Sequence, residues 1–289
     1  MRLSIIIVTF NSQEHVQSCL DAVFRQGDEG VEVIVVDNGS KDATLRILKE
    51  NYRQVRLIEN SGNEGACRAR NQGIAASSGD WVLTLDSDVV IGDDFIRQFI
   101  SASFSFADNI GMVQADILNE DGETVYSHGI DLTFLRRFHD LNRGRKKVMA
   151  IPAEGKIIGP CSAAAFYRRK MLEKLKEVTG YFDERFFFLV EDVDLAWRAR
   201  LAGWAVLFCP RITCTHTGNG SQTGRDIRQY LCIRNRYWMI TKNDRFGRQV
   251  LVHIVSFPYE LIRGIYWFFF NNHMWKSGSS VMRAERHEG

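Results

Sequence analysis

Apolar positions in this chain come first in short unbroken runs and then at helical spacing. Leu3, Ile5, Ile6, Ile7 and Val8 open it, followed by Val16, Leu20, Val23 and Phe24 at intervals of one to four. The first pattern predicts a strand over 3–9 covered on both faces. The second predicts an amphipathic helix that Asn11 or Ser12 would cap. The alternation then repeats. Val31-Glu32-Val33-Ile34-Val35-Val36 is a β-branched run closed by Asp37-Asn38-Gly39-Ser40, and Ser40 or Asp42 would cap a helix defined by Leu45, Ile47 and Leu48. Residues 55–58 predict a third strand, 60–65 a glycine-rich loop, and the next helix carries Arg68, Arg70 and Asn71. A fourth apolar run, Trp81-Val82-Leu83-Thr84-Leu85, stops on Asp86-Ser87-Asp88. Four strands alternating with three helices predict an α/β fold with a right-handed, mostly parallel central sheet flanked by helices. Its polar loops should gather on one edge.

Further along, 112–115 predicts a strand, and Asp121-Gly122-Glu123 marks a hairpin turn. Arg136, Arg137, Arg143, Arg145, Lys146 and Lys147 give a basic, glycine-containing segment that reads as a solvated loop rather than a lid. The small residues of 159–165, entering a strand, would let something bulky approach closely. Val193, Trp197 and Leu201 lie four apart, which predicts one buried helical stripe with Glu191, Asp192 and Asp194 crowding the first turn. Short strands over 206–209 and 212–215 lead to His216. The tail, 230–240 and 250–270, is apolar and aromatic, with Pro258 interrupting its second segment and no run approaching the roughly 20 residues of a membrane span. Two readings fit it: a helix lying in a bilayer interface, and a helical appendage packed on the main domain or on a second copy in a homodimer. The expected division is a catalytic domain over 1–225 and a basic, aromatic helical segment over 226–289.

Composition narrows the class without choosing the chemistry. With 289 residues, 45% hydrophobic and 25% charged, the chain is ordinary globular protein, and its net charge of +2 conceals a basic tail of eleven Lys/Arg against five Asp/Glu from Arg225 onward. No nucleic-acid partner is expected. Six scattered cysteines without a Cys-x-x-Cys pair predict small buried thiols in a reducing compartment. The opening run is too short for a signal peptide. The expected location is therefore cytoplasmic, with contact at the inner-membrane surface as the alternative for the tail.

Asp86 and Asp88 fall at the carboxyl edge of the fourth strand, where hard oxygens suit a divalent cation such as Mg2+ or Mn2+; a solvated acidic turn is the plainer account. There is no Gly-x-Gly-x-x-Gly after the first strand and no Gly-x-x-x-x-Gly-Lys-Ser/Thr, so phosphate charge would be met by a metal and by cations such as Arg70. A carboxylate at Asp37 can accept the imide N–H of uracil or thymine. Acids in a helix's first turn stabilise it by about 0.3–1 kcal/mol each. Three at 191–194 exceed that need, and one poised there can take a proton from an attacking hydroxyl. His216 is either a third metal ligand or a loop histidine with a satisfied hydrogen bond.

The stretches VEVIVVDNGSKDAT (31–44), NSGNEGACRARNQG (60–73) and LTLDSD (83–88) resemble the inverting family-2 glycosyltransferases with the GT-A, or nucleotide-diphospho-sugar transferase, fold. The similarity runs from residue 3 to about 221 and is nearest to a rhamnosyltransferase-like branch. It implies that Thr9, Asn11, Asp37 and Asn60 hold the donor's base and ribose, and that Asp86 and Asp88 hold metal and diphosphate. It assigns the catalytic base to Asp192, the second position of the Glu191-Asp192 motif, with Glu191 and Trp197 on the acceptor side. The expected reaction moves one sugar from a UDP- or dTDP-linked donor to a hydroxyl of a surface-polysaccharide or lipid-linked acceptor. Rival readings are a processive polysaccharide synthase, a sugar-nucleotide pyrophosphorylase and a catalytically inactive membrane-associated scaffold. The first uses Gln-x-x-Arg-Trp, and here Gln222 and Arg225 have the spacing but Asp226 replaces the tryptophan. The second lacks its glycine-rich opening after Val8.

Overall fold

The opening apolar run is β1 (Leu3–Thr9), whose Leu3, Ile5, Ile6 and Ile7 are at most 1% exposed. The structure, a computed structural model, describes residues 1–27, 30–147, 156–218 and 224–270. Next come α1 (Val16–Arg25), β2 (Val31–Asp37), α2 (Thr44–Asn51), β3 (Arg56–Glu59), α3 (Ala66–Ala76) and β4 (Trp81–Asp86), in the predicted order. β2 and β4 flank β1, β3 lies outside β2, and all three pairings are parallel. The register sets Thr9 against Asp37 and Val8 against Asp86, which brings the polar strand ends to one edge.

The second half of the sheet is mixed. After β4 come β5 (Val89–Ile91), α4 (Phe95–Ser103), β6 (Ile110–Asn119), β7 (Val125–Ser127), β8 (Ile130–Leu132), β9 (Phe138–Asp140), β10 (Ala164–Arg168), α5 (Arg169–Thr179), α6 (Glu191–Leu201) and β11 (Ala205–His216), of which β8 and β9 form a separate two-stranded sheet. Strand order is β3-β2-β1-β4-β10-β6-β11-β5, with β7 also paired to β6. β10 lies antiparallel to both β4 and β6, and so joins the parallel half to the rest. Phe166 of β10 stacks on Phe99 of α4 at 3.7 Å, and Trp81 meets Phe99 edge-on at 5.3 Å, so one aromatic cluster fastens the helix to both strands.

Several expectations are corrected. Neither Asn11 nor Ser12 caps α1 with its side chain. Asp42 Oδ1 accepts the Thr44 N–H at 2.9 Å at the start of α2, whereas Ser40 turns back to Asp37. Gly159 serves packing: a Cβ there would lie 2.1 Å from Ala196 Cβ, so its absence lets α6 lie close. α6 is buried nearly all round rather than along one stripe, and Leu201 is exposed because it ends the helix on the outer side. The two short strands of 206–215 are one strand, β11, with an irregularity between Cys209 and Thr213 that absorbs Pro210. None of the six cysteines is in a disulfide; three are buried and three half-buried.

The chain divides into two compact units, Met1–Leu132 with Phe138–Gln222, and Thr133–Arg137 with the chain from Thr223. The second holds α7 (Arg225–Asn243) and α8 (Phe246–Phe270). Within it Arg236 donates to the carbonyls of Leu135 at 2.6 Å and Arg136 at 2.9 Å, and Arg136 pairs with Asp244 at 2.6 Å. Pro258 does not interrupt α8, which continues through it with one backbone hydrogen bond fewer. Among the described residues no helix is long and apolar enough to cross a membrane. Gln222 and the tail over 271–289 lie outside the described residues.

Candidate functional site

At the ends of β1 and β2 the Asp37 carboxylate accepts hydrogen bonds from Thr9 Oγ1 at 2.9 Å, Ser40 Oγ at 2.6 Å and the Ser40 N–H at 3.1 Å. The turn between them needs Gly39: its φ is +78°, and a Cβ there would sit 2.5 Å from Gly62 Cα. Asn11 (φ 51°) donates its N–H to Ser40 Oγ at 2.9 Å, and its Oδ1 accepts the Lys41 N–H at 2.8 Å. Asn60 lies one layer away. Its N–H reaches the Asp37 carbonyl at 2.9 Å, while its side chain donates to Asn38 at 3.0 Å and exchanges hydrogen bonds with Gln72 at 2.9 and 3.0 Å. Thr9, Asn11, Asp37 and Asn60 therefore form one connected cluster. Ser40, Asn38 and Gln72 complete it; Asn38 and Ser40 stood out in the sequence as part of the turn after Asp37, and Gln72 only within the 60–73 stretch.

At the end of β4 one ligand atom each from Asp86, Asp88 and His216 lies within 4.8 Å of the others. His216 is delivered by the last residue of β11, paired in register with Val89 on one side and Asn119 on the other. Its Nε2 is 3.1 Å from Asp88 Oδ1, and its buried Nδ1 has no hydrogen-bond partner among the described residues. The edge of Tyr126 packs on the imidazole at 4.1 Å, and the Arg143 guanidinium lies 4.3 Å over Tyr126 while pairing with Asp140 at 2.8 Å. The basic segment is thus not a plain solvated loop. β9 within it pairs with β8, and Arg143 is held by a ring and a carboxylate. Residues 148–155 beyond it lie outside the described residues. Two carboxylates and an imidazole whose buried Nδ1 has no partner among the described residues fit a hard divalent cation such as Mg2+ or Mn2+.

Facing this cluster is the start of α6. Phe187, Leu189 and Val190 precede it with φ of 63°, 68° and 74°, left-handed values that a β-branched residue such as Val190 adopts only under constraint. Part of the constraint is Gly65, where a Cβ would lie 2.6 Å from the Phe187 ring; the Phe187 carbonyl accepts the Cys67 N–H at 3.2 Å. The three acids are then sorted by their partners. Glu191 takes Arg70 Nη1 at 2.5 Å, and the same guanidinium reaches Asp86 at 2.9 Å. Asp194 pairs with Arg198 at 2.9 Å. Asp192 accepts only backbone N–H groups, from Val193 at 2.8 Å and Ser162 at 3.3 Å, and forms no ion pair among the described residues. Burial, reinforced by the neighbouring Glu191, pushes its carboxyl up to about 7. Trp197 is buried in the body of α6. Arg70, expected to meet phosphate, already bridges two carboxylates, a link between positions 121 residues apart that no local pattern announces.

A family model described as Glycosyl transferase family 2 matches residues 4–176. The chain is 27% identical over 272 residues to the N-acetylglucosaminyl-diphospho-decaprenol L-rhamnosyltransferase of Mycobacterium tuberculosis (strain ATCC 25618 / H37Rv), covering 84% of each. It is similar to S. aureus TarS 1-349 in complex with UDP-GlcNAc, with a TM-score of 0.58 at 20% identity over 87% of this chain and 69% of that one. It is likewise similar to the mannosyltransferase PcManGT from Pyrobaculum calidifontis in complex with GDP-Man and Mn2+, with a TM-score of 0.58 at 17% identity, covering 100% of this chain and 76% of that one. These likenesses carry the GT-A fold, and the mixed sheet with helices described above is that architecture.

Proposed function

From the premise that this chain belongs to glycosyl transferase family 2 and moves sugar from a nucleotide-sugar donor, we propose a metal-dependent, inverting transfer of one sugar from a UDP- or dTDP-linked donor to a hydroxyl of a surface-polysaccharide or lipid-linked acceptor. The observation that carries this is the sorting of acids at α6. Glu191 and Asp194 are neutralised by arginines, whereas Asp192 has no cationic partner among the described residues and a carboxyl pushed up to about 7. A base with that affinity for protons is matched to neutral pH.

In this reading the donor's base and ribose lie on the Thr9–Asn11–Asp37–Asn60 cluster. Both Asp37 oxygens already accept protein hydrogen bonds, but a carboxylate has about four acceptor sites, which leaves capacity for an imide N–H. Asp86, Asp88 and His216 would hold a divalent cation, which, when bound, would stabilise negative charge growing on the departing nucleoside diphosphate. Asp192 takes the proton of the acceptor hydroxyl as its oxygen bonds to the anomeric carbon, while the bond from that carbon to the diphosphate oxygen breaks. Entry opposite the leaving group inverts the centre. Arg70 fixes the Asp86 and Glu191 carboxylates relative to one another. The mycobacterial relative, named for transfer to a diphospho-decaprenol, supports a lipid-linked acceptor. The Mn2+ that accompanies GDP-Man in the Pyrobaculum complex supports the metal.

The test is proton NMR of the product's anomeric configuration, together with donor binding to Asp192→Asn. Inversion, with transfer lost and donor affinity kept, is expected. Retention of configuration, or loss of donor affinity along with turnover, would refute the assignment.

A further inference from the structure

α8 is built inside out. At about 100° per residue, Val252, Ser256, Glu260 and Arg263 share one face, and it is the inward one. Val252 and Ser256 are buried, and Glu260 pairs with Arg236 at 3.5 Å and with Arg263. The opposite face carries Val250, Ile254, Phe257, Leu261, Ile262 and Ile265, each between 40% and 69% exposed. These six fall within an arc of about 140° and along roughly 23 Å of helix, and together they show on the order of 600 Å² of apolar surface. A soluble helix normally presents the reverse arrangement, and a continuous patch of this size marks a surface that something apolar covers.

The geometry points to an anionic lipid bilayer as the cover, with α8 lying in its interface. Charge complementarity selects it: from Arg225 onward the chain has eleven Lys/Arg against five Asp/Glu. The flank of the apolar arc carries Tyr259, whose ring lies 4.5 Å from the Arg137 guanidinium, and on α7 the half-exposed Trp238 has Arg234 above it at 4.5 Å. Rings with one polar end beside cations match the headgroup level of a membrane. α8 would lie along the surface rather than cross it, since no described helix is long and apolar enough to span. A second copy of the chain fits less well. Its apolar arc offers no hydrogen-bonding side chain to fix the register of a paired copy. This inference is independent of the catalytic assignment.

The experiment is flotation of the full chain with phosphatidylcholine vesicles with and without phosphatidylglycerol, compared with Ile254→Asp/Ile262→Asp. The melting temperature and donor hydrolysis of each preparation are measured in parallel. The wild type should float with the anionic vesicles, and the double variant should stay soluble with partitioning reduced at least about tenfold, both with unchanged melting and hydrolysis. Three results would overturn the inference: wild type partitioning no better into anionic than into neutral vesicles, a double variant floating like wild type, or light scattering showing a wild-type dimer that the double variant dissolves.

Discussion

Replacing Asp192 by asparagine should make the protein more stable while removing its activity. Burial lifts this carboxyl from 3.8 to about 7. At about 1.36 kcal/mol per tenfold change in proton affinity, that rise is a burden of about 4 kcal/mol above pH 7, where the folded protein holds a charge its surroundings disfavour. Between about pH 4 and pH 7 the folded state keeps a proton that the unfolded chain has released, so wild-type stability falls as pH rises through that window. Asparagine carries no charge, but its amide NH2 must face one of the two backbone donors, Ser162 or Val193, at a cost of about 1–3 kcal/mol. The net gain at pH 8 is about 1–3 kcal/mol, or roughly 2–6 °C in melting temperature for a chain of this size. It should shrink toward zero or reverse near pH 4. Thermal unfolding of both proteins from pH 4 to pH 8 measures it, and transfer assays should show kcat lower by about 10²–10⁴. A variant less stable than wild type at pH 8, a stability difference independent of pH, or near-normal turnover would refute the reasoning.

With Asp192 as the proposed base, kcat/KM of the wild type should rise with pH through about 7 and level off above it, because the base must be unprotonated. Arg70→Met strands Glu191 without its cation and removes the partner of Asp86, and should cost about 3–5 kcal/mol in chemical denaturation. Saturating Mn2+ should raise the melting temperature of wild type, by the equivalent of about 2.7 kcal/mol at a hundredfold excess over Kd; Asp88→Asn and His216→Ala should lose that response, and EDTA should reverse it. Gly65→Ala places a Cβ 2.6 Å from the Phe187 ring at a φ of +85° and should cost about 1–3 kcal/mol, with a fall in turnover because the strained approach to Asp192 shifts.

The parallel half of the fold was legible because each strand there is a continuous apolar run closed by polar turn residues, a pattern set by burial on both faces. β10 was legible only as a strand; its place between β4 and β6, antiparallel to both, depends on pairings across about 80 and about 50 residues that leave no local mark. The caps were misassigned because Asn11 and Ser40 serve the Asp37 cluster, a tertiary demand that outweighs helix capping. Asp86, Asp88 and the acids of α6 stood out as charge at the ends of apolar segments. What separates Asp192 from Glu191 and Asp194 is the placement of Arg70 and Arg198, which only the assembled fold supplies. The basic segment misled because its cations were counted without Tyr126 and Asp140, which hold Arg143.

Asp88 and His216 touch across 128 residues of chain, and the histidine sits at the final position of β11. A ribosome releases the aspartates long before their imidazole neighbour, so the trio cannot exist until β11 has slotted between β6 and β5. Cation uptake would then serve as an internal certificate of completed assembly: truncated or stalled chains, however well their opening strands had formed, would lack it.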